Sequence, residues 1–368
     1  MKVLLVSNID AAHPFGQHLR PFHLGSGLAR AGVEVGMVGV DGSSVDFGPA
    51  WSTGRKQVRP YAGALRQAAR AFRPDVVYGH EARGGAAAIL AATGLPVVAD
   101  FHAMPSLEWR GFARRAHGAQ AARLHGAAAR SFAAERLMAR RADGLIAAGQ
   151  EVADDVRRLH RPRADPVVVV NGFTPALADD RAAGDAPPFA AGNGHRSAVV
   201  TLPSADHQAN TRAMTFLQQV AERLTADGTG VTVHVLGSDD GPPAPGLTYE
   251  GFVPALAPWL AHADVCLLPY PPEAALAGGP RIKLVEYLSA GRAIVTTQEG
   301  LRGLREVERW PGVRVAGDDP AAFAAAVAAA AHDDGPGLAA KRAEVRERLT
   351  WDALARDAAR VLEEAAAR

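Results

Sequence analysis

Short β-branched runs alternate with longer Ala-, Leu- and Arg-rich segments of helical period, and the alternation runs through the chain twice. The first series takes in Val3 to Val6, Val33 to Val40, Asp75 to Tyr78, Pro96 to Asp100, Gly144 to Ala148 and Val167 to Val170. After a polar, Pro/Gly-rich passage from Ala178 to Arg196 it restarts, with Ala198 to Leu202, Val231 to Leu236, Leu247 to Glu250, Val265 to Pro269, Ala293 to Thr297 and Val313 to Val315. Runs that are apolar on both faces are parallel strands covered by helices on either side. The expected fold is therefore α/β, with two Rossmann-like, doubly wound parallel-sheet domains. At 368 residues the chain exceeds one ordinary core and suits two of roughly 150 to 180 residues each. The expected bounds are 1–185 for the first and 196–348 for the second, with 349–368 a terminal helix that packs back on the first domain. Two such sheets facing one another bring the carboxyl ends of their strands, where open α/β sheets bind ligands, to opposite walls of a central cleft.

Composition narrows the function classes. A formal charge of +1 gives no global basic field, so nucleic acid is not an expected partner. Cys266 is the only cysteine, which leaves no internal disulfide and no Cys-based metal site. The opening Met1-Lys2-Val3-Leu4-Leu5-Val6 is too short an apolar run for a signal-peptide core, and no stretch approaches the ~20 residues of a membrane span. A cytoplasmic location is expected.

The most informative motif is Gly279-Pro280-Arg281-Ile282-Lys283-Leu284-Val285-Glu286, followed by the Gly291 stop and the strand Ala293 to Thr297. A Gly loop opening a helix lets backbone N–H groups and the helix dipole meet an anion. Arg281 and Lys283 add full positive charge there, with the backbone around Gly278 and Gly279. Glu286, about a turn deeper, can accept hydrogen bonds from a ribose diol. A solvated helix start and a salt bridge to a neighbouring helix are the plainer accounts of these residues. A second strand-to-helix loop, Phe15-Gly16-Gln17-His18-Leu19-Arg20, is either a plain turn or an anion-friendly one in which Gly16 permits close approach. For His18 and Arg20 a surface role stands beside a ligand contact. His102 follows the strand Pro96 to Asp100, and His80 holds the analogous place after Asp75 to Tyr78, an acceptor-side position. Asp100 can assist nearby, although Phe101 makes the alternation ambiguous. The segment Arg110 to Arg141 carries eight arginines and one glutamate. It reads as a solvated face, a peripheral membrane contact or a site for a phosphorylated acceptor. No His/Asp/Glu spacing resembles a metal site, so no metal is expected.

In order and spacing, these pieces resemble the retaining glycosyltransferases of family 4, which have the GT-B architecture. The resemblance rests on the N-terminal strand and Gly loop, Asp75 to His80, Phe101-His102, Ala142 to Ala147, Val170-Asn171-Gly172-Phe173, Gly251-Phe252-Val253, Ala263 to Pro269, and Gly279 to Gly291. It implies transfer of a sugar from a nucleoside-diphosphate sugar (UDP-, GDP- or dTDP-linked) to a hydroxyl acceptor, a glycan, lipid-linked or small natural-product one. It also implies retention at the anomeric carbon and no cofactor or metal. By resemblance, the loop of Gly16 faces the donor phosphates, His102 lies near the transferred sugar, and the backbone at Val253 reads the base. Family members often carry two glutamates eight positions apart. Here the second is Glu286 and the first is replaced by Gly278, which removes a contact with the donor sugar. A Gly-x-Arg-x-Lys-x-x-Glu variant of the family matches Gly279, Arg281, Lys283 and Glu286. The loop after the first strand of the second domain lacks the family's Arg/Lys pair; Arg212 is the nearest cation, with Ser204 and Asn210 minor candidates. A nucleotide-sugar 2-epimerase and a non-catalytic sugar-nucleotide-binding subunit are the alternative readings.

Overall fold

The structure, a computed structural model, describes residues 1–7, 19–40, 45–53, 58–180, 184, 188–189, 195–202, 208–239, 241, 243–272, 279–333 and 338–368. Two compact units divide the chain: Met1–Asn171, Ala277–Pro280 and Trp351–Arg368 form the first, Gly172–Leu276 and Arg281–Thr350 the second.

The first unit is a parallel sheet of seven strands, β1 (Lys2–Val6), β2 (Glu34–Gly39), β3 (Ala50–Ser52), β4 (Val76–His80), β5 (Val97–Phe101), β6 (Gly144–Ala147) and β7 (Val167–Val168), in the order β3-β2-β1-β4-β5-β6-β7. Its central strands read as continuous apolar runs because both faces are covered. One face carries Val3, Leu5, Val76, Tyr78, Val98 and Ile146 under the helices Leu19–Arg30 and Trp351–Ala366. Leu4, Val6, Val38 and Val77 on the other pack with residues of the helices Val58–Phe72 and Glu81–Leu90. β3 has no counterpart in the pattern read from the sequence. It is a three-residue edge strand whose Ala50 and Trp51 are only half-buried, so it carries no apolar run to betray it. The Arg-rich segment, read above as one stretch, is two helices, Pro105–Ala113 and Gly118–Arg141, broken at Gly118 with φ 54°.

The second unit repeats the plan with six parallel strands, β8 (Arg196–Thr201), β9 (Val231–Leu236), β10 (Leu247–Tyr249), β11 (Val265–Leu268), β12 (Ala293–Thr296) and β13 (Val313–Val315), in the order β10-β9-β8-β11-β12-β13. In each sheet the order reverses beside the first strand, between β1 and β4 and between β8 and β11. Such switch points open crevices at the carboxyl ends of the strands. Among the described residues, no helix is long and apolar enough to cross a membrane.

The helix Trp351–Ala366 completes the first unit's core: Leu354, Ala355, Ala358 and Leu362 are buried among Leu24, Leu28 and the strand residues. At Gly27 an added Cβ would lie 2.6 Å from the Cβ of Ala355, so the two helices touch where a side chain is missing. Leu362 is fully buried, and Leu362→Ala is expected to lower the unfolding free energy by about 2–5 kcal/mol, measured by chemical denaturation.

Candidate active site

The register between β4 and β5 sets His80 opposite Asp100 and Tyr78 opposite Val98. Because strand side chains alternate, Tyr78 and His80 share a face with Asp100 and with His102 just beyond β5. The Leu19–Arg30 helix covers that face and lowers Arg20 onto it. Arg20 Nε lies 3.1 and 3.3 Å from the two Asp100 oxygens and its Nη2 3.0 Å from Oδ2, while Nη1 donates to Val170 O and Asn171 Oδ1. Tyr78 Oη donates to Asp100 Oδ2 at 2.6 Å. His80 Nδ1 and His102 Nε2 are 2.9 Å apart, and His102 Nδ1 lies 3.5 Å from Glu81 Oε1. Arg20, Tyr78, His80 and Asp100 are at most 2% exposed, whereas His102 is 11% exposed.

Burial alone would raise the Asp100 carboxyl, but Arg20, the two histidines and the Tyr78 hydroxyl bring it down to about 2. Burial likewise holds His80 well below its ordinary 6.5, and burial together with the Asp100 charge pushes Tyr78 well above its usual range. Ligand atoms of His80, Asp100 and His102 lie within 4.8 Å of one another, a grouping that the spacing along the chain does not reveal. Arg20 already supplies the positive charge against Asp100, so the group reads as a hydrogen-bonded relay rather than as a cation cage. Arg20 is thus not on the surface; it is buried against Asp100 beneath the two histidines. Gly279, which belongs to this unit, passes so close that an added Cβ would sit 2.1 Å from His102 O, and Asn171 Nδ2 donates to Pro280 O at 3.4 Å.

In the second unit the helix Ile282–Ala290 starts after Arg281 and stops at Gly291, left-handed with φ 71°. The Arg281 guanidinium stacks 4.4 Å over the ring of Tyr270, which follows β11, and pairs with Glu299 at 2.8 Å. Arg302 also grips Glu299, at 2.8 and 3.1 Å. Lys283 Nζ donates to Tyr270 Oη at 2.9 Å. Although burial opposes it, Lys283 and Arg281 pull the Tyr270 phenol below its ordinary value. Glu286 is buried, accepts from Thr174 Oγ1 at 2.8 Å, and has its carboxyl pushed up by burial. Arg281 Nε is buried with no hydrogen-bond partner among the described residues. Val253 follows β10 half-buried, beside Gly251, whose φ is 67°, and Phe252, which is 74% exposed.

The structure therefore gathers His80 and His102 in one unit, and Arg281, Lys283 and Glu286 in the other. Gly16, His18, Ser204 and Gly278 lie outside the described residues. Sequence reading missed Tyr78, Glu81, Thr174, Tyr270 and Glu299. The Tyr-x-His and Asp-x-His pairs at alternate strand positions were the available signal for the first unit.

Residues 16–177 match the model of Glycosyltransferase Family 4, and residues 197–333 that of Glycosyl transferases group 1. With its two Rossmann-like domains the chain is an enzyme of the GT-B glycosyltransferase class. It belongs to the glycosyltransferases of family 4 and group 1. Among solved structures it is similar to sucrose-phosphate synthase from Thermosynechococcus elongatus, with TM-score 0.71, 16% identity, and coverage of 99% of this chain and 98% of that one. It is also similar to HepE from Anabaena in complex with UDP and glucose (TM-score 0.67, 13% identity, 99% of each chain). A third is WaaG, a glycosyltransferase involved in lipopolysaccharide biosynthesis (TM-score 0.67, 14% identity, 98% and 99%). At these identities the likeness is one of fold. No curated protein sequence matches the chain significantly.

The buried relay makes stability depend on pH. The unfolded His80 takes up a proton below about 6.5 while the folded one stays neutral, so stability falls as pH drops below that value. The depressed Asp100 contributes stability that is complete above its unfolded value near 3.8 and is lost as pH falls through about 2. His80→Asn is expected to reduce the slope of unfolding free energy between pH 6.5 and 5 by up to about 1.4 kcal/mol per pH unit, measured by denaturant titration across pH. An unchanged slope would place the proton elsewhere.

Proposed function

We propose that this glycosyltransferase moves a sugar from a nucleoside-diphosphate sugar to an acceptor hydroxyl with retention at the anomeric carbon and without a metal. The observation that carries the reading is the partnerless Nε of Arg281, beside Lys283 at the start of the helix Ile282–Ala290. Departure of a nucleoside diphosphate builds negative charge on the leaving oxygen, and fixed cations and donors lower the barrier by meeting it. Among the described residues Arg281 pairs with Glu299, Lys283 donates to the Tyr270 hydroxyl, and burial pushes the Glu286 carboxyl upward. The open Nε of Arg281 and the Lys283 ammonium, whose hydrogen bond goes to a hydroxyl and not to a carboxylate, suit a diphosphate. Glu286, braced by Thr174, takes the ribose diol. The acceptor hydroxyl then attacks from the face the diphosphate leaves, and a diphosphate oxygen takes its proton, so placement and charge stabilisation suffice. HepE, of the same fold, is described in complex with UDP-glucose, which supports a nucleotide-sugar donor.

A panel of UDP-, GDP- and dTDP-sugars tests the assignment. Release of nucleoside diphosphate is expected; free epimerised sugar would favour a 2-epimerase, and binding without turnover a non-catalytic subunit. Arg281→Ala is expected to weaken donor binding about ten- to hundredfold and Glu286→Ala about tenfold, by calorimetry. Unchanged affinities would defeat both roles.

A further observation bears on the acceptor. Every arginine of 110–141 is exposed, while the one acid of that segment, Glu135, is buried against Ser106 N at 2.7 Å and His160 Nε2 at 3.2 Å. Arg123, Arg130 and Arg141, seven and eleven residues apart, fall on one side of the Gly118–Arg141 helix. The surface left to solvent is cationic, which suits an anionic lipid surface at the membrane's inner face or a phosphorylated acceptor. Phosphatidylglycerol vesicles are expected to sediment the protein at low salt, and Arg123→Glu with Arg130→Glu to abolish this. Sedimentation unchanged by that double variant would remove the arginine face from the reading.

A further inference from the structure

Glu81 is where β4 turns into the helix Glu81–Leu90, and its backbone holds φ 60°. Three other non-glycine residues among those described share a positive φ: Arg73, Ala92 and Arg161. Each of those follows a helix, where a left-handed residue is an ordinary ending. Glu81 opens one, where helix geometry asks for nothing of the kind, and strain held at such a point is a pointer to function. The turn brings Glu81 Oε1 to 3.5 Å from His102 Nδ1, with the two side chains 16% and 11% exposed. Both side chains are therefore partly exposed, with the Nδ1 atom of His102 itself buried, while His80 and Asp100 beneath them are fully buried.

The protonation pattern follows from the neighbours. One N–H lies between His80 Nδ1 and His102 Nε2. If His102 supplied it, His80 would carry its proton on Nε2, which is buried with no partner among the described residues, and His102 would turn a bare nitrogen lone pair toward the Glu81 carboxylate. If His80 supplies it, the donor sits 3.7 Å from Asp100 and His102 carries its proton on Nδ1, toward Glu81. Desolvation and charge both select the second arrangement. Among the described residues His102 Nδ1 has no hydrogen-bond partner, and 3.5 Å to the carboxylate is too long for a good bond. A donor and an acceptor so placed suit one bridging hydroxyl, whose oxygen accepts from Nδ1–H and whose O–H donates to the carboxylate.

We propose that Glu81 and His102 form a hydroxyl-binding pair for a pyranose, in which Glu81 sets specificity by accepting a hydrogen bond from the hydroxyl and repelling a carboxylate or phosphate at the same point. This rests on the sugar-transfer reading, and the hydroxyl can belong to the donor sugar or to the acceptor. Long-range proton–nitrogen correlation spectra of the full chain labelled with 15N-histidine test it, with UDP-glucose, methyl α-D-glucopyranoside and glucuronate as probes. His102 is expected to be protonated at Nδ1 in the free protein, and a neutral sugar to shift that nitrogen. A shift with the methyl glucoside alone assigns the acceptor; a shift that needs UDP-glucose assigns the donor. Glucuronate should leave His102 unmoved in the native chain and move it in Glu81→Gln. The neutral-sugar response should weaken about tenfold in Glu81→Gln, the difference between an ionised and a neutral partner. Glu81→Gly should abolish it with Tm unchanged or raised, because glycine relieves the left-handed turn. Protonation of His102 at Nε2, a sugar response as strong in Glu81→Gly as in the native chain, or no response to any probe would overturn the pair. Failure of UDP to bind by calorimetry would count instead against the reading of the second unit, since a methyl glucoside response at His102 supports the pair by itself.

Discussion

Beneath the first unit's site lies an ion pair that water hardly reaches. Arg20 and Asp100 are 2% and 0% exposed, and each would be costly to bury alone. Together, with Tyr78 and Asn171 taking up further bonds, they fix the end of the sheet at its switch point. The consequence runs upward. A charged Asp100 below His80 favours a proton on Nδ1 of that ring, the ring caps Nε2 of His102, and the one nitrogen left to His102 turns toward Glu81. A neutral floor would leave both imidazoles free to choose tautomers, and the part-exposed His102 would lose its single chemical character.

The second unit solves a different electrostatic problem by a related device. Cations crowd the start of the helix Ile282–Ala290, against the sign that its dipole prefers. Tyr270 offers its ring face to Arg281 and its hydroxyl to Lys283, and Glu299 ties Arg281 to Arg302. The side chains are thereby held in one arrangement, which under the proposed function spares part of the ordering cost of binding a diphosphate.

Much of this was legible beforehand, and the reason is the periodicity of covered parallel sheets. Short apolar, mostly β-branched runs between helical segments made β1, β2, β4 to β7 and every strand of the second unit stand out. β3 did not, because Ala50-Trp51-Ser52 has no β-branched residue, unlike the equally short edges β10 and β13. The motif of Arg281, Lys283 and Glu286 was visible because its residues are local, one loop and one helix. Its partners Tyr270, Thr174 and Glu299 were not, since they come from separate loops.

The order of strands and helices, the two-domain plan and the cationic helix start were determined by the sequence alone, through apolar period, glycine placement and local charge. Which residues stand beside which was decided by tertiary structure. Arg20 meets Asp100 across eighty positions because strand register and helix packing align them. The backbone strain at Glu81 likewise exists only where β4 must turn into its helix against β1, with Gly84 so close that an added Cβ would lie 2.7 Å from Val6 O. Local propensity acts within a few residues of the chain, whereas pairing of charges and tautomers depends on distances that only the folded sheet sets.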